Sequence, residues 1–579
     1  MKIKPVFVGI AVIGALLLVL SFSTLAKVFA ANPRDLLTGV KAQPLATKLL
    51  PKKSPLFLSF LVDPDKLSLF TQLAAQPSDR GDVRHEIANL KQQLKQNWLL
   101  DYEEDIQPWL DQEITLAVTD IDLDHQPKNG SQTGYLLAFA AKDIAIAQSS
   151  IDAFWQRLAV NGSDIGFEQY QDTSILSSAN EDQPAIAGTI LGKFVLFAND
   201  SRVIKEAINL YKVDTKSALA NVANFGDRLA QINTGKIGVA YVNLAELDQT
   251  LPQESLLLSF GLDKSGIRAK TLFSREAITS DSSESSASLD NLEIEETKSS
   301  PDLATKAKAV KKTNFDIAKN IPLSSSVIIG NNLAQTLQGI NNSLSPDLQK
   351  LLVQAIAPLP FNSDALKSNL FAWAQDEYAI ALLPPNNLHK ATQDKANQNR
   401  EWLIVAPVKD AQASKTAIAV LDNQVRNQLT VGEISLKNQP ITVWTKLTAN
   451  SLNTANTESV AGVIVAAHAQ TNNYIYLSNS LSALESALNL KGNQAIATSK
   501  EFKTIAKKLP KDRQIYGYIG ESADLLNLTN NLSSLLINER ISPIFNNSLS
   551  SAIFQHINIL SFADSSSNVQ NGELFIFFK

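Results

Sequence analysis

The chain has 579 residues, more than one hydrophobic core holds, so at least two domains are expected. With 44% hydrophobic and 19% charged residues it is a folding chain, and a formal net charge of -5 excludes the broad basic face of a general nucleic-acid binder. It has no cysteine, which excludes disulfides, thiolate catalysis and cysteine metal sites.

Lys2 and Lys4 precede a stretch from Pro5 to Leu25 that carries no charge. About 20 apolar residues cross the hydrocarbon core as a helix, whereas the apolar region of a signal peptide has about 7–15. The length favours an uncleaved membrane anchor within residues 1–30. Val28 and Ala30 support the competing reading, a cleaved signal with a mature chain beginning near Ala31. The leading lysines place the N-terminus in the cytoplasm and the bulk of the chain outside it, although Lys27, Arg34 and Lys41 weaken that bias.

The stretch "PLFLSFLV" (55–62) reads as a strand, and Asp63-Pro64 as a helix start, since Asp accepts a first-turn N–H and Pro suits the first helical position. Ile87, Leu90 and Leu94 mark an amphipathic helix. "DYEED" (101–105) reads as a charged loop opening a strand, with an acidic patch as the alternative. "WLDQEITLAV" (109–118) is the next strand. "DIDLDH" (120–125) resembles a calcium loop, but the sixth and twelfth positions hold His125 and Ser131 where Gly and Glu are needed, so it reads as a solvated strand edge.

A strand then runs into Lys142-Asp143 and a helix whose apolar stripe is Ile151, Phe154 and Leu158. The same grammar returns with Lys409-Asp410, Ile418, Leu421 and Val425. Trp109, Glu113 and Ala117 recur as Trp373, Glu377 and Ala381; Asn199, Ala207 and Asn209 as Asn479, Ala487 and Asn489; Tyr241 as Tyr518. The spacing drifts by insertions while the order never breaks. A period of roughly 270 residues is far above that of solenoid repeats, so two domain-sized copies from an internal duplication are expected. The predicted organisation is a first repeat over 50–277, a linker over 278–312 that is rich in Ser and acid and then in Lys, and a second repeat over 316–579. Strands joined by turns predict α+β lobes, mainly antiparallel sheets with helices packed on one face.

Asp143 and Asp410 sit where a strand becomes a helix and read as N-caps; Trp109 and Trp373 read as core aromatics. The histidines are His85, His125, His389, His468 and His556, and no two are spaced to share a helix face as metal ligands. No phosphate-binding, nucleophile-elbow or zinc-protease motif is present. No catalytic, cofactor or metal residue is therefore singled out.

The apolar N-terminal segment, "LPKKSPLFLSFLVDPDKL" (50–67), "PWLDQEITLAV" (108–118) and the strand–Lys-Asp–helix unit together resemble the DUF3352 family. The resemblance implies a membrane-associated protein of cyanobacterial type, at an envelope or thylakoid membrane, with its bulk on the periplasmic or lumenal side. It implies no catalytic residue. Three functions stand: a membrane-tethered extracytoplasmic scaffold with protein partners; a binder of an apolar ligand, lipid or pigment, lined by runs such as "SLLLSFGL" (255–262); and an enzyme. A large apolar cavity would favour the second, and a cleft with converging carboxylates of shifted pKa the third.

Overall fold

The computed structural model describes residues 43–62, 88, 91–92, 94–96, 98–126, 132–180, 183–222, 225–232, 236–243, 246, 254–263, 266–275, 314–323, 325–333, 373–374, 376–383, 401–451, 458–511, 513, 515–519, 557–564 and 570–578. The apolar segment 5–25, Asp63-Pro64, Ile87, Leu90 and the linker 278–312 lie outside the described residues. Among the described residues no helix is long and apolar enough to cross a membrane.

The first half carries β1 (Leu56–Phe60), β2 (Leu110–Asp120), β3 (Gly134–Ala141), β4 (Ile165–Tyr170), β5 (Thr173–Asn180), β6 (Gln183–Leu191), β7 (Phe194–Ala198), β8 (Lys236–Asn243), β9 (Glu254–Asp263) and β10 (Gly266–Arg275). Among the described residues its helices include α1 (Ile144–Val160), α2 (Ser201–Lys212) and α3 (Phe225–Ile232). The second half carries β11 (Ser326–Asn331), β12 (Glu377–Leu382), β13 (Trp402–Pro407), β14 (Thr430–Leu436), β15 (Gln439–Ser451), β16 (Glu458–Gln470), β17 (Tyr474–Ser478), β18 (Ile515–Ile519), β19 (Ile557–Asp564) and β20 (Gln570–Phe578). Its helices are α4 (Ala411–Val425), α5 (Leu481–Leu488) and α6 (Lys500–Lys508).

Every ladder among the described residues is antiparallel. In the first half the order runs β4-β5-β6-β7-β3-β2-β1-β8-β9-β10. In the second it runs β14-β15-β16-β17-β13-β12-β11-β18-β19-β20. The registers also match. Phe57 lies opposite Ala117 and Tyr241, and Val327 lies opposite Ala381 and Tyr518. Leu136 lies opposite Ala117 and Ala198, and Leu403 opposite Ala381 and Ser478.

Helices cover both faces of each sheet, not one as expected. Successive side chains of a strand point to opposite faces. In β3, Leu136, Ala138 and Ala140 join a core with α2 and α3, while Tyr135, Leu137, Phe139 and Ala141 join a core with α1. In β13, Leu403 and Val405 face α5 and α6, while Trp402, Ile404 and Ala406 face α4. This is why "YLLAFAA" and "WLIVA" lack polar alternation: a strand buried on both faces has no solvent side to mark.

The caps follow the sequence reading. The Asp143 carboxylate accepts from Ala145 N and Ile146 N at 2.9 and 3.2 Å, and Asp410 accepts from Gln412 N and Ala413 N at 2.9 and 3.0 Å. Each cap contributes about 1 kcal/mol. Asn199 Oδ1 accepts from Tyr135 N at 2.7 Å and Asn479 Oδ1 from Trp402 N at 2.8 Å, so the recurring Asn ties the end of one strand to the start of its neighbour.

Two readings change. "DYEED" is a π-helical turn, Tyr102–Ile106, and not an open loop. Its Asp105 is buried, accepting from Asp101 N at 2.7 Å and from Arg157 Nη2 at 2.6 Å. The halves are also not joined by the linker alone: β10 pairs with β20 from Gly266 opposite Phe577 to Phe273 opposite Gln570, which makes the two ladders continuous.

Candidate functional site

β2 ends at Asp120, where the chain leaves the sheet beside α2. Here a cleft of about 1030 Å³ opens in the first half. Its wall includes Lys52 and Lys53 from the segment before β1, Asp120 at the end of β2, Asp122 just beyond it, Glu206 from α2, and Glu246. His125 stands at the same opening with φ of 53°, its Nε2 3.9 Å from Asp120 Oδ2.

The carboxylates of "DIDLDH" close a turn. Asp120 Oδ1 accepts from Asp122 N at 2.8 Å, Asp122 Oδ1 from Gln132 N at 3.0 Å, and Asp124 Oδ1 from Gln126 N at 2.9 Å. They act as local backbone acceptors, a habit of Asp at turns. Among the described residues no set of three His, Asp or Glu is placed to hold a metal ion.

Glu206 and Glu246 differ from these. Burial pushes the Glu206 carboxyl above the usual carboxylate range, Asp120 adds to the rise, and His125 opposes it. Burial also lifts Glu246, against the pull of Lys53 and with a further push from Asp120. Each of these two carboxyls holds its proton to higher pH than a free glutamate does.

At matching positions the second half has exposed Ser486 for Glu206 and exposed Leu323 for Lys52. It has a polar cluster of its own. Asp422 on α4 accepts from Trp444 Nε1 at 2.8 Å and lies 2.8 Å from His468 Nε2, tying α4 to β15 and β16. At the matching place in the first half, Trp155 lies over Gly188, so close that an added Cβ would sit 3.1 Å from its ring. One backbone plan thus carries an apolar contact in one half and a hydrogen-bonded His–Asp pair in the other.

A family model described as "Protein of unknown function (DUF3352)" matches residues 11–579. The chain belongs to the DUF3352 family. No curated protein and no solved structure matches it.

In this DUF3352 chain several of the residues singled out by recurrence are packed into the fold. Trp109 and Trp373 are both buried. Glu113 is buried and its Oε1 accepts from Ala46 N at 2.7 Å, holding the 3-10 turn Leu45–Leu49 against β2. Ile151, Phe154, Leu158 and Ile418, Leu421, Val425 are all in the cores. The run "SLLLSFGL" lies in β9, with Leu257, Leu258 and Phe260 packed inside the protein. An apolar cavity beside β11 and α6 holds about 10 Å³, room for a water at most.

Glu206 and Glu246 carry no sequence signal of their site. They are single acids on separate segments, and only the chain path brings them to Asp120. A substitution tests the electrostatics. A carboxyl raised by burial costs native stability once it ionises, so Glu206→Gln is expected to stabilise the protein near pH 7 and to be neutral near pH 3, where both states are protonated. Urea unfolding at the two pH values checks this; an equal change at both would mean that charge is not the cause.

Proposed function

We propose that the protein is a membrane-tethered extracytoplasmic scaffold, built by duplication of one α+β unit, whose two halves hold different partners. The observation that carries this reading is the pairing of two like ladders with unlike surfaces. β10 and β20 join the halves, while the acidic cleft belongs to the first and an extended β15–β16 hairpin to the second. The hairpin exposes Leu447, Val463 and Ile464. Leu447 and Ile464 share one face of the hairpin, and exposed apolar side chains side by side are a surface that a partner can cover. The segment before residue 30 supplies the tether, with the rest of the chain on the periplasmic or lumenal side.

The test has two arms. Intact protein should stay in carbonate-washed membranes. A photo-crosslinker at Leu447, in full-length protein within those membranes, should give one defined protein adduct that Ile464→Glu, on the same face of the hairpin, abolishes. Adducts only to lipid or pigment would replace the scaffold with the ligand-carrier reading, and a soluble protein beginning near Ala31 would remove the tether.

A second reading rests on the cleft. Converging Asp120, Glu206 and Glu246 favour a small polar ligand, and with it an enzyme, over a lipid or pigment.

A further inference from the structure

The contact between the halves has an internal symmetry that can be read from its register. Tyr241 lies opposite Leu257 on β9, and Leu257 opposite Leu272 on β10. At the same ladder places, Tyr518 lies opposite Ser561 on β19, and Ser561 opposite Phe575 on β20. Leu272 therefore matches Phe575, Lys270 matches Glu573, and Arg268 matches Asn571. The β10–β20 ladder sets Lys270 opposite Glu573, Arg268 opposite Phe575 and Leu272 opposite Asn571. Exchanging each residue for its match returns the same pairs. The contact is a local two-fold, and its axis passes through Lys270 and Glu573.

At such an axis one position pairs with its own counterpart, so it decides whether like halves can pair. Two copies of β10 meeting this way would put Lys270 against Lys270; two copies of β20 would put Glu573 against Glu573. Like charges directly opposite across a ladder destabilise it. The mixed pairing puts a lysine opposite a glutamate. Glu573 is buried and held by Arg268, with Nη2 at 2.6 Å and Nε at 3.2 Å from Oε2, and Arg513 Nη2 lies 4.0 Å from Oε1. The Arg268 guanidinium stacks over Phe575 at 5.0 Å. A second buried carboxylate in place of Lys270 would have to share these two arginines.

We infer that the β10–β20 contact is a charge-coded interface: its partner is the other half of the same chain, and Lys270 and Glu573 bar like halves of two chains from joining. Specificity here comes from repulsion in the wrong pairing as much as from attraction in the right one. The matching of positions uses ladder order alone and holds whether or not the halves share an ancestor.

The absence of cysteine from the chain makes the test direct. Thr271 lies opposite Gly572. Cα atoms of paired antiparallel residues are about 4.5–5.5 Å apart, within reach of a disulfide. Full-length Thr271→Cys/Gly572→Cys protein should therefore oxidise to an intrachain crosslink. Adding Glu573→Lys places a cation opposite Lys270 and beside two arginines, and should lower the crosslinked fraction about tenfold. Adding Lys270→Glu to that protein restores an opposite pair and should recover at least about a third of the crosslink. The inference fails if Glu573→Lys crosslinks like its parent, if Lys270→Glu gives no recovery, or if the parent forms disulfide-linked dimers in place of the intrachain product.

Discussion

Replacing Trp109 with alanine is expected to remove about 4 kcal/mol from the stability of the first half, the size seen when a fully buried large aromatic is truncated. Trp109 has no exposed surface. Its Nε1 donates to Asp105 O at 2.6 Å, and its ring meets Phe139 edge-on at 6.0 Å. Phe139 in turn touches Phe197, which touches Phe154 on α1, so the cavity would open at the end of an aromatic chain. The indole also fixes the turn whose Asp105 receives Arg157 from α1. Truncation therefore removes packing and loosens an ion pair together. The measurement is thermal or urea unfolding followed by calorimetry. The transition of the first half should fall sharply while that of the second moves less, to the extent that the β10–β20 ladder couples them. A loss under about 1 kcal/mol would mean that the site collapses freely or that the ring is not in the core.

Raising the pH from about 9 to 12 is expected to cost the second half several kcal/mol through two phenols. Burial pushes Tyr476 up to about 12, with a smaller push from Tyr474. Burial pushes Tyr518 up to about 12, with Ser499 opposing and Glu501 adding. An unfolded phenol ionises near 10, and a tenfold change in proton affinity is about 1.4 kcal/mol, so each residue contributes roughly 2–3 kcal/mol. The sign follows from the raised folded value. The contribution is complete below the unfolded pKa near 10 and disappears as pH climbs through about 12, because only the unfolded chain ionises readily in between. Tyr476 also donates to Asn320 Oδ1 at 3.1 Å, and Tyr518 packs on Phe502 at 5.2 Å. The check is urea unfolding across this pH range for the parent and for Tyr476→Phe/Tyr518→Phe. The double variant should lose far less stability between pH 10 and 12. Equal alkaline losses in both proteins would assign the effect to other groups.

Local signals were legible wherever one residue acts on its own neighbours. Asp143 and Asp410 needed only the N–H groups two and three residues on to act as caps, and Ile151, Phe154 and Leu158 needed only helical periodicity to mark a buried stripe. The recurrence of Ala117 as Ala381 and Tyr241 as Tyr518 was visible because matched residues fill matched ladder places. The two-sided burial of β3 and β13 was harder to read, since an all-apolar run does not say what covers each face.

The candidate site was mostly hidden. Asp120 and His125 stood out only as a failed calcium loop, and Glu206 and Glu246 not at all. A cleft is made by surfaces from separate segments, and its carboxyls are shifted by burial, which no spacing encodes.

By itself the sequence determined the absence of cysteine chemistry, the apolar segment near the N-terminus, the Asp143 and Asp410 caps and the recurrence of matched segments in the same order in the two halves. Those follow from composition and from contacts a few residues apart. Only the tertiary structure decided that β10 and β20 pair, that Lys270 meets Glu573, that Arg268 clamps that glutamate, and that Asp120, Glu206 and Glu246 share an opening. Arg268 and Glu573 are 305 residues apart, and an edge strand offers its backbone groups to any partner, so pairing across such a distance is set by where two folded sheets present their free edges.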